Sequence, residues 1–97
     1  MAKGYLIAQV DVLDTEAYRE YAAKVPGTLV GFEGRFLVRG GRIESLEGDA
    51  PPPRTVVLEF PSLAHARNWY HSDAYQELIP LRHAAGVTRS FLVEGPD

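Results

Sequence analysis

The residues of this chain whose types can do chemistry are three histidines, an aromatic group around Trp69 and a run of arginines. His65, His71 and His83 do not fall at the spacing of an H-x-x-x-H helical metal motif. No Asp or Glu brackets them as a further ligand, so a metal site is not expected. His83 near the end of a helix meets the negative end of its dipole, and His65 in the first turn of another faces solvent. His71 differs. It lies between Trp69-Tyr70 and Ser72, at a break between helical segments where side chains can point into a cleft, and is the candidate general acid or base. The alternative is a loop histidine that hydrogen-bonds locally, with Asp73 as the one carboxylate nearby.

Trp69, Tyr70 and Tyr75 can line an aromatic pocket for a planar ligand; their helical spacing equally suits burial in a core, and burial and binding are compatible. Arg35, Arg39, Arg42 and Arg54 give the middle of the chain a local positive excess, moderated by Glu44, Glu47 and Asp49. Guanidinium groups bind carboxylates bidentately, so an anionic small ligand fits this set; surface or interface ion pairs are the alternative. Serine-nucleophile motifs, phosphate loops and dinucleotide fingerprints are absent, and Gly40-Gly41 reads as a turn. No cofactor is expected.

The elements that must position these residues follow from pattern. Gly4 to Val12 alternates with Leu6, Ala8, Val10 and Val12 on one parity, which predicts a strand. Asp14 caps a helix from Thr15, with Leu13 and Tyr18 placed for a hydrophobic staple and Ala17, Tyr18, Tyr21, Ala22 and Val25 on its apolar side. Pro26-Gly27 interrupts that helix, and Leu29, Val30 and Phe32 form another turn before Gly34. Arg35-Phe-Leu-Val-Arg39, Gly40-Gly41 and Arg42-Ile-Glu-Ser-Leu46 read as a hairpin, because paired glycines supply the positive φ of a tight turn. Pro51-Pro52-Pro53 ends ladder pairing and marks a stiff loop. Thr55 to Phe60 is a strand, and Ser62 caps a helix through about Tyr70. Ser72 or Asp73 caps a further helical piece to about Ala85, kinked at Pro80. Gly86 ends it and Val87 to Glu94 is the last strand.

This order of strand, helix, two strands, helix and strand is the ferredoxin-like βαββαβ arrangement of an α+β fold, a four-stranded antiparallel sheet with helices on one face. With 97 residues the chain is one domain, residues 1–97, and buries only about 60–65% of its unfolded surface. Tyr5, Ile7, Leu37, Val57, Phe91 and Val93 fall on the parity opposite the core-facing set, together with Gln9, Arg35, Arg39 and Glu59. Apolar area on both faces predicts a homodimer that covers the second one.

Composition bounds the function. The chain has 45% hydrophobic and 24% charged residues, as ordinary globular domains do, and its formal charge is −3. An acidic balance argues against nucleic acid or anionic membrane as partner. With no cysteine there is neither a disulfide framework nor a thiolate nucleophile. The apolar stretch Tyr5 to Val10 is short, broken by Gln9 and followed by Asp11, which fits neither a signal peptide nor a membrane span. A cytoplasmic location is expected.

The motifs Lys3-Gly4-Tyr5, Val10-Asp11-Val12, Tyr18 with Tyr21, Gly34-Arg-Phe-Leu-Val-Arg-Gly-Gly41, Leu46-Glu-Gly48, Glu59-Phe-Pro-Ser62, Trp69-Tyr70, Ser72, Tyr75 and Pro80-Leu-Arg82 together resemble the domain of unknown function 1330 family over nearly the whole chain. The resemblance implies membership in the dimeric α/β-barrel superfamily, whose relatives include small monooxygenases, haem-degrading enzymes and stress-response proteins. It implies no particular reaction. The segment from Trp69 to Ile79 is similar to one in the haem-degrading enzymes, where an iron-ligating histidine follows the tryptophan. Ile79 stands at that position here and cannot ligate, so haem degradation is not expected. Two function classes remain. One is a cofactor-independent enzyme, of oxygenase or isomerase type, acting on an aromatic or acidic metabolite between helices and sheet. The other is a non-catalytic ligand-binding or stress-related dimer. In either case Trp69, Tyr75, Arg39 and Arg82 are the candidate ligand contacts and His71 the candidate catalytic residue.

Overall fold

The computed structural model describes residues 2–97. In chain order the elements are β1 (Gly4–Val12), α1 (Thr15–Leu29), β2 (Arg35–Arg39), β3 (Arg54–Phe60), α2 (Leu63–Tyr70), α3 (Asp73–Gln76), α4 (Ile79–Ala85) and β4 (Gly86–Glu94). The strands form one antiparallel sheet in the order β2-β3-β1-β4, and the core lies between one face of that sheet and the helices. The ferredoxin-like α+β architecture is thus as the element order predicts. The expected α/β barrel is not: the sheet is open, with β2 and β4 as free edges. Closure takes about eight strands and the chain supplies half of that.

Alternation decides which side chains meet the helices. Leu6 stands opposite Leu58 and Leu92, and Ala8 opposite Val56 and Ser90. Together with Val10 and Phe60 they face inward against Tyr21, Val25, Trp69 and Tyr75. Tyr5, Ile7, Val57, Glu59, Phe91 and Val93 share the other face, where Phe91 is 50% and Val93 42% exposed. The second parity therefore forms an exposed, partly apolar sheet face.

Local signals fix most helix ends. Asp14 Oδ1 accepts from the Ala17 amide at 3.0 Å, Ser62 Oγ from the His65 amide at 3.1 Å, and Ser72 Oγ from the Tyr75 amide at 3.3 Å. The staple does not form. Both the Leu13 and Asp14 amides donate to the Ala85 carbonyl, which turns Leu13 out to 71% exposure while Tyr18 enters the core. Nor does Pro26 end α1, which runs on to Leu29. A proline offers no amide to the carbonyl four residues back, and Arg39 Nη2 donates to that Ala22 carbonyl instead, at 3.2 Å. Pro80 lies in the first turn of α4, where its missing amide costs little, so it begins a helix and kinks none. Gly86 has φ 169° and opens β4 in extended conformation. It is required there because a Cβ would collide with the Asp11 backbone oxygen.

The expected hairpin does not form. Residues 42–46 form no strand, and β2 pairs with β3 across a loop spanning residues 40–53. Leu46, the apolar residue that would end that strand, is 91% exposed and finds nothing to pack against. Gly40 does take positive φ, 72°, but there it carries the ladder one bond further to the Thr55 carbonyl and makes room for the Arg54 guanidinium.

Candidate functional site

Side chains from every layer converge on one cavity between the helices and the sheet. Its floor is Leu6, Val10 and Leu58 of β1 and β3; its roof is Tyr18, Tyr21 and Val25 of α1. Trp69 of α2 and Tyr75 of α3 close one side, and Arg82 of α4 and Thr88 of β4 reach in from another. The space open to the centre of a water molecule is about 30 Å³, and a single water needs roughly 10–15 Å³ of it. Arg39 on the β2 edge and Ser90 on the β4 edge are the exposed members of its lining.

Trp69 is anchored at both ends. Its ring lies 4.2 Å from that of Tyr75 and 5.5 Å from that of Phe60. Its Nε1 donates to Thr28 Oγ1 at 2.9 Å, and Thr28 donates in turn to the Val25 carbonyl at 2.7 Å. A buried indole N–H needs such a partner, and Thr28 is brought under it by the continuation of α1 past Pro26.

The Tyr75 hydroxyl lies 2.8 Å from that of Tyr21 and accepts from Arg82 Nη1 at 2.7 Å. Burial, then the neighbouring Tyr75, push the Tyr21 hydroxyl far above the ordinary tyrosine range, so it stays protonated and able to donate. Burial works against the Arg82 charge, but Tyr75, Tyr21 and Tyr70 around the guanidinium outweigh it and its pKa is raised. Arg82 is therefore a permanent cation, only 8% exposed, and among the described residues no carboxylate pairs with it. Its Nε and the Thr88 Oγ1 are both buried without a hydrogen-bond partner.

Arg39 reaches this side of the sheet through a bulge. Phe36 stands opposite Leu58, yet beyond it Val38 pairs with Val57 and Arg39 with Val56. The irregularity sends Val38 to the open face and Arg39 to the helix face, opposite to the strict alternation the sequence predicts. The guanidinium then lies 4.4 Å over the Phe36 ring. Arg54 Nε donates to the Tyr18 hydroxyl at 3.1 Å, with its guanidinium 4.9 Å over that ring. Arg35 stays on the open face, where its Nε and Nη2 both lie 2.8 Å from Glu59 Oε1. The hydrogen bond from Arg35 holds the Glu59 carboxyl below its usual range.

The four expected ligand contacts, Trp69, Tyr75, Arg39 and Arg82, all line this cavity. His71 does not; it caps the end of α2, exposed, with its ring edge-on to Tyr70. His65 bonds Ser62 and faces Glu33, and His83 is exposed on α4. Among the described residues no three His, Asp or Glu side chains group as metal ligands, and no helix is long and apolar enough to cross a membrane. Tyr21 and Thr88 were missed as site residues. Tyr21 carried a signal: a tyrosine on the apolar side of a helix brings a hydroxyl into the core and must find it a partner. Thr88 carried none.

Solved structures share this fold. A protein of unknown function from Rhodopseudomonas palustris matches 99% of this chain and 84% of its own at a TM-score of 0.77 and 17% identity. A dimeric ferredoxin-like protein of unknown function from Jannaschia matches 98% of this chain and 99% of its own at 0.66 and 14%. SnoaB, a cofactor-independent oxygenase from Streptomyces nogalater, matches 99% of this chain and 93% of its own at 0.59 and 8%. At these identities the likeness is one of fold. A search of the curated proteins gives no match. Residues 3–96 match the model of the domain of unknown function DUF1330, and the chain belongs to that family.

Proposed function

We propose that this protein is a cytoplasmic homodimer that binds a small aromatic or acidic metabolite in the cavity between helices and sheet, contacting it through Trp69, Tyr75, Arg39 and Arg82. The observation that carries the reading is the meeting of two aromatic rings and two guanidinium groups, drawn from four separate elements, around one cavity. Convergence of a few polar groups on an apolar hollow is shared with small-ligand sites, and a ligand larger than two waters widens this one as it enters. His71 is exposed and away from the cavity, and the proposal gives it no part. Pairing of two copies is supported by the exposed apolar residues Leu37, Val38, Phe91 and Val93 and by the dimeric relative from Jannaschia. A fragment library screened by thermal shift and by Trp69 fluorescence tests the binding. Ligands that raise the melting temperature while changing the Trp69 signal are expected, and a library in which none does so refutes it. Sedimentation at micromolar concentration tests the pairing, with twice the chain mass expected and a clean monomer refuting it.

A catalytic form of this reading, a cofactor-independent oxygenase or isomerase, is favoured by the Tyr75 and Arg82 pair. Preorganised donors in a water-poor cavity stabilise negative charge that develops on a substrate oxygen. Oxygen uptake and solvent-deuterium exchange, measured with each ligand from the screen, distinguish the enzyme from the carrier.

A further inference from the structure

The donors around Arg82 do not balance. Tyr21 and Tyr75 share one hydrogen bond between two hydroxyls, and the Tyr75 oxygen also accepts from Arg82. Whichever tyrosine donates to the other, one hydroxyl hydrogen is left over. The Arg82 Nε–H is buried without an acceptor, as is the Thr88 hydroxyl. Three donors thus lack acceptors beside a buried cation that lacks a counter-ion, and all four residues line the same cavity. Buried polar groups are seldom left in this state, and a desolvated, uncompensated charge is the costliest case. What is missing is a single negative charge carried on two acceptor oxygens.

Space sets the same limit. The free volume of about 30 Å³ corresponds to roughly two waters on a scale where one needs about 10–15 Å³. Two waters' worth of room takes the two oxygens of a carboxylate and is short for the four of a phosphate, so the rest of the ligand must extend beyond it toward the exposed lining. Of the guanidinium groups that line the cavity Arg82 alone is buried, Arg39 being exposed and Arg54 bonded to Tyr18, so the deep part of the cavity carries one cation and suits a monoanion. We propose that Arg82, Thr88 and the Tyr21–Tyr75 hydroxyl pair form the seat of a carboxylate, and that the ligand of this cavity is a short-chain monocarboxylate. In that seat the Arg82 Nε–H and the Thr88 hydroxyl, closed over in the unliganded protein, turn toward the cavity and with the spare tyrosine hydroxyl donate to the carboxylate oxygens. The short apolar remainder runs past the floor of Leu6, Val10 and Leu58 toward the exposed lining at the sheet edges. This inference rests on the reading of the cavity as a small-molecule site and narrows its ligand class to acids.

The test titrates the purified protein with acetate, propionate and butyrate, and in parallel with acetamide, phenol, phosphate and chloride at matched ionic strength. Melting temperature and Trp69 fluorescence are followed throughout. Saturable shifts are expected from the monocarboxylates alone. Arg82→Met should weaken that binding by roughly 10- to 100-fold and Thr88→Val by roughly 3- to 10-fold, as loss of a charged and of a neutral hydrogen bond implies. Thr88→Val preserves side-chain shape, so it tests the seat even where the arginine variant fails to fold; unchanged affinity in it overturns the geometry. If phenol or acetamide shifts both signals as strongly as the acids do, the carboxylate seat is wrong and the cavity reading stands. If no probe shifts either signal, the seat falls, and the fragment library decides the wider cavity reading. Equal response to phosphate, or to chloride, overturns the seat as an unspecific anion effect.

Discussion

Arg39 stands in for the amide that Pro26 lacks, and a double-mutant cycle between them measures that service. Arg39 Nη2 lies 3.2 Å from the Ala22 carbonyl, and its guanidinium 4.4 Å over the Phe36 ring. A hydrogen bond to a charged group contributes about 1.5–3 kcal/mol when buried. Arg39 is exposed, so a discounted share of about 0.5–1 kcal/mol is appropriate, with roughly another 0.5–1 kcal/mol from the ring contact. Arg39→Met in the natural chain should therefore cost about 1–2 kcal/mol, a fall of several degrees in melting temperature for a domain of this size. In Pro26→Ala the new backbone amide bonds the Ala22 carbonyl, and the same arginine change should cost only the ring contact. A coupling of about 0.5–1 kcal/mol follows. Urea unfolding of the four proteins at one protomer concentration would measure it, the concentration being fixed because dimerisation shifts apparent stability. Additivity within about 0.3 kcal/mol would refute the reasoning and leave the unbroken run of α1 through Pro26 without this explanation.

Other consequences are more local. Thr28→Val leaves the Trp69 indole N–H buried without an acceptor and should cost about 1–3 kcal/mol in urea unfolding, although it conserves volume. Asp14→Ala removes the cap of α1 and should cost about 0.5–2 kcal/mol; an unchanged midpoint would show the cap is idle. The Glu59 carboxyl is held low by Arg35, so its contribution is present above the ordinary carboxylate range and is lost as pH falls through the depressed folded-state value. Acid titration of stability should accordingly be shallower in Arg35→Met than in the natural chain below about pH 4.5, and identical acid limbs would rule the pair out as a source of stability.

Legibility in the sequence ended where structure stopped being local. Alternation in β1 and the caps Asp14, Ser62 and Ser72 involve residues within a few positions of one another, and each was readable. The failures share a different trait. Whether Arg42 to Leu46 becomes a strand depends on what lies over the β2 edge, and Gly40-Gly41 says only that the chain turns. Pro26 breaks a helix by rule, and its rescue comes from a guanidinium on another strand. The bulge between Phe36 and Val38 reverses the parity of Arg39, and no glycine or proline in the strand announces it. Propensity proposes an element; partners distant in sequence decide whether it survives.

The candidate site illustrates a further limit, since its members were read for the wrong reasons. Trp69 and Tyr75 drew notice as aromatics, and their spacing alone equally suited a core; both are core residues and both line the cavity. Arg39 belonged to a group of four arginines read together, yet the structure scatters that group. Arg35 pairs with Glu59 on the open face, Arg42 with Glu44 in a loop, and Arg39 and Arg54 alone lie against the cavity. Charge density along the chain was therefore a poor guide to charge density in space. Arg82 is the reverse case, an arginine amid the apolar run from Leu78 to Ala85 with no local cluster to advertise it. A lone cation in such a run must either turn outward, as neighbouring His83 does, or be buried and find partners. Tyr75, Tyr21 and Tyr70 surround it, but hydroxyls do not cancel a charge. That residual imbalance is the most informative feature of the molecule, because packing alone would have favoured a leucine or methionine at this position.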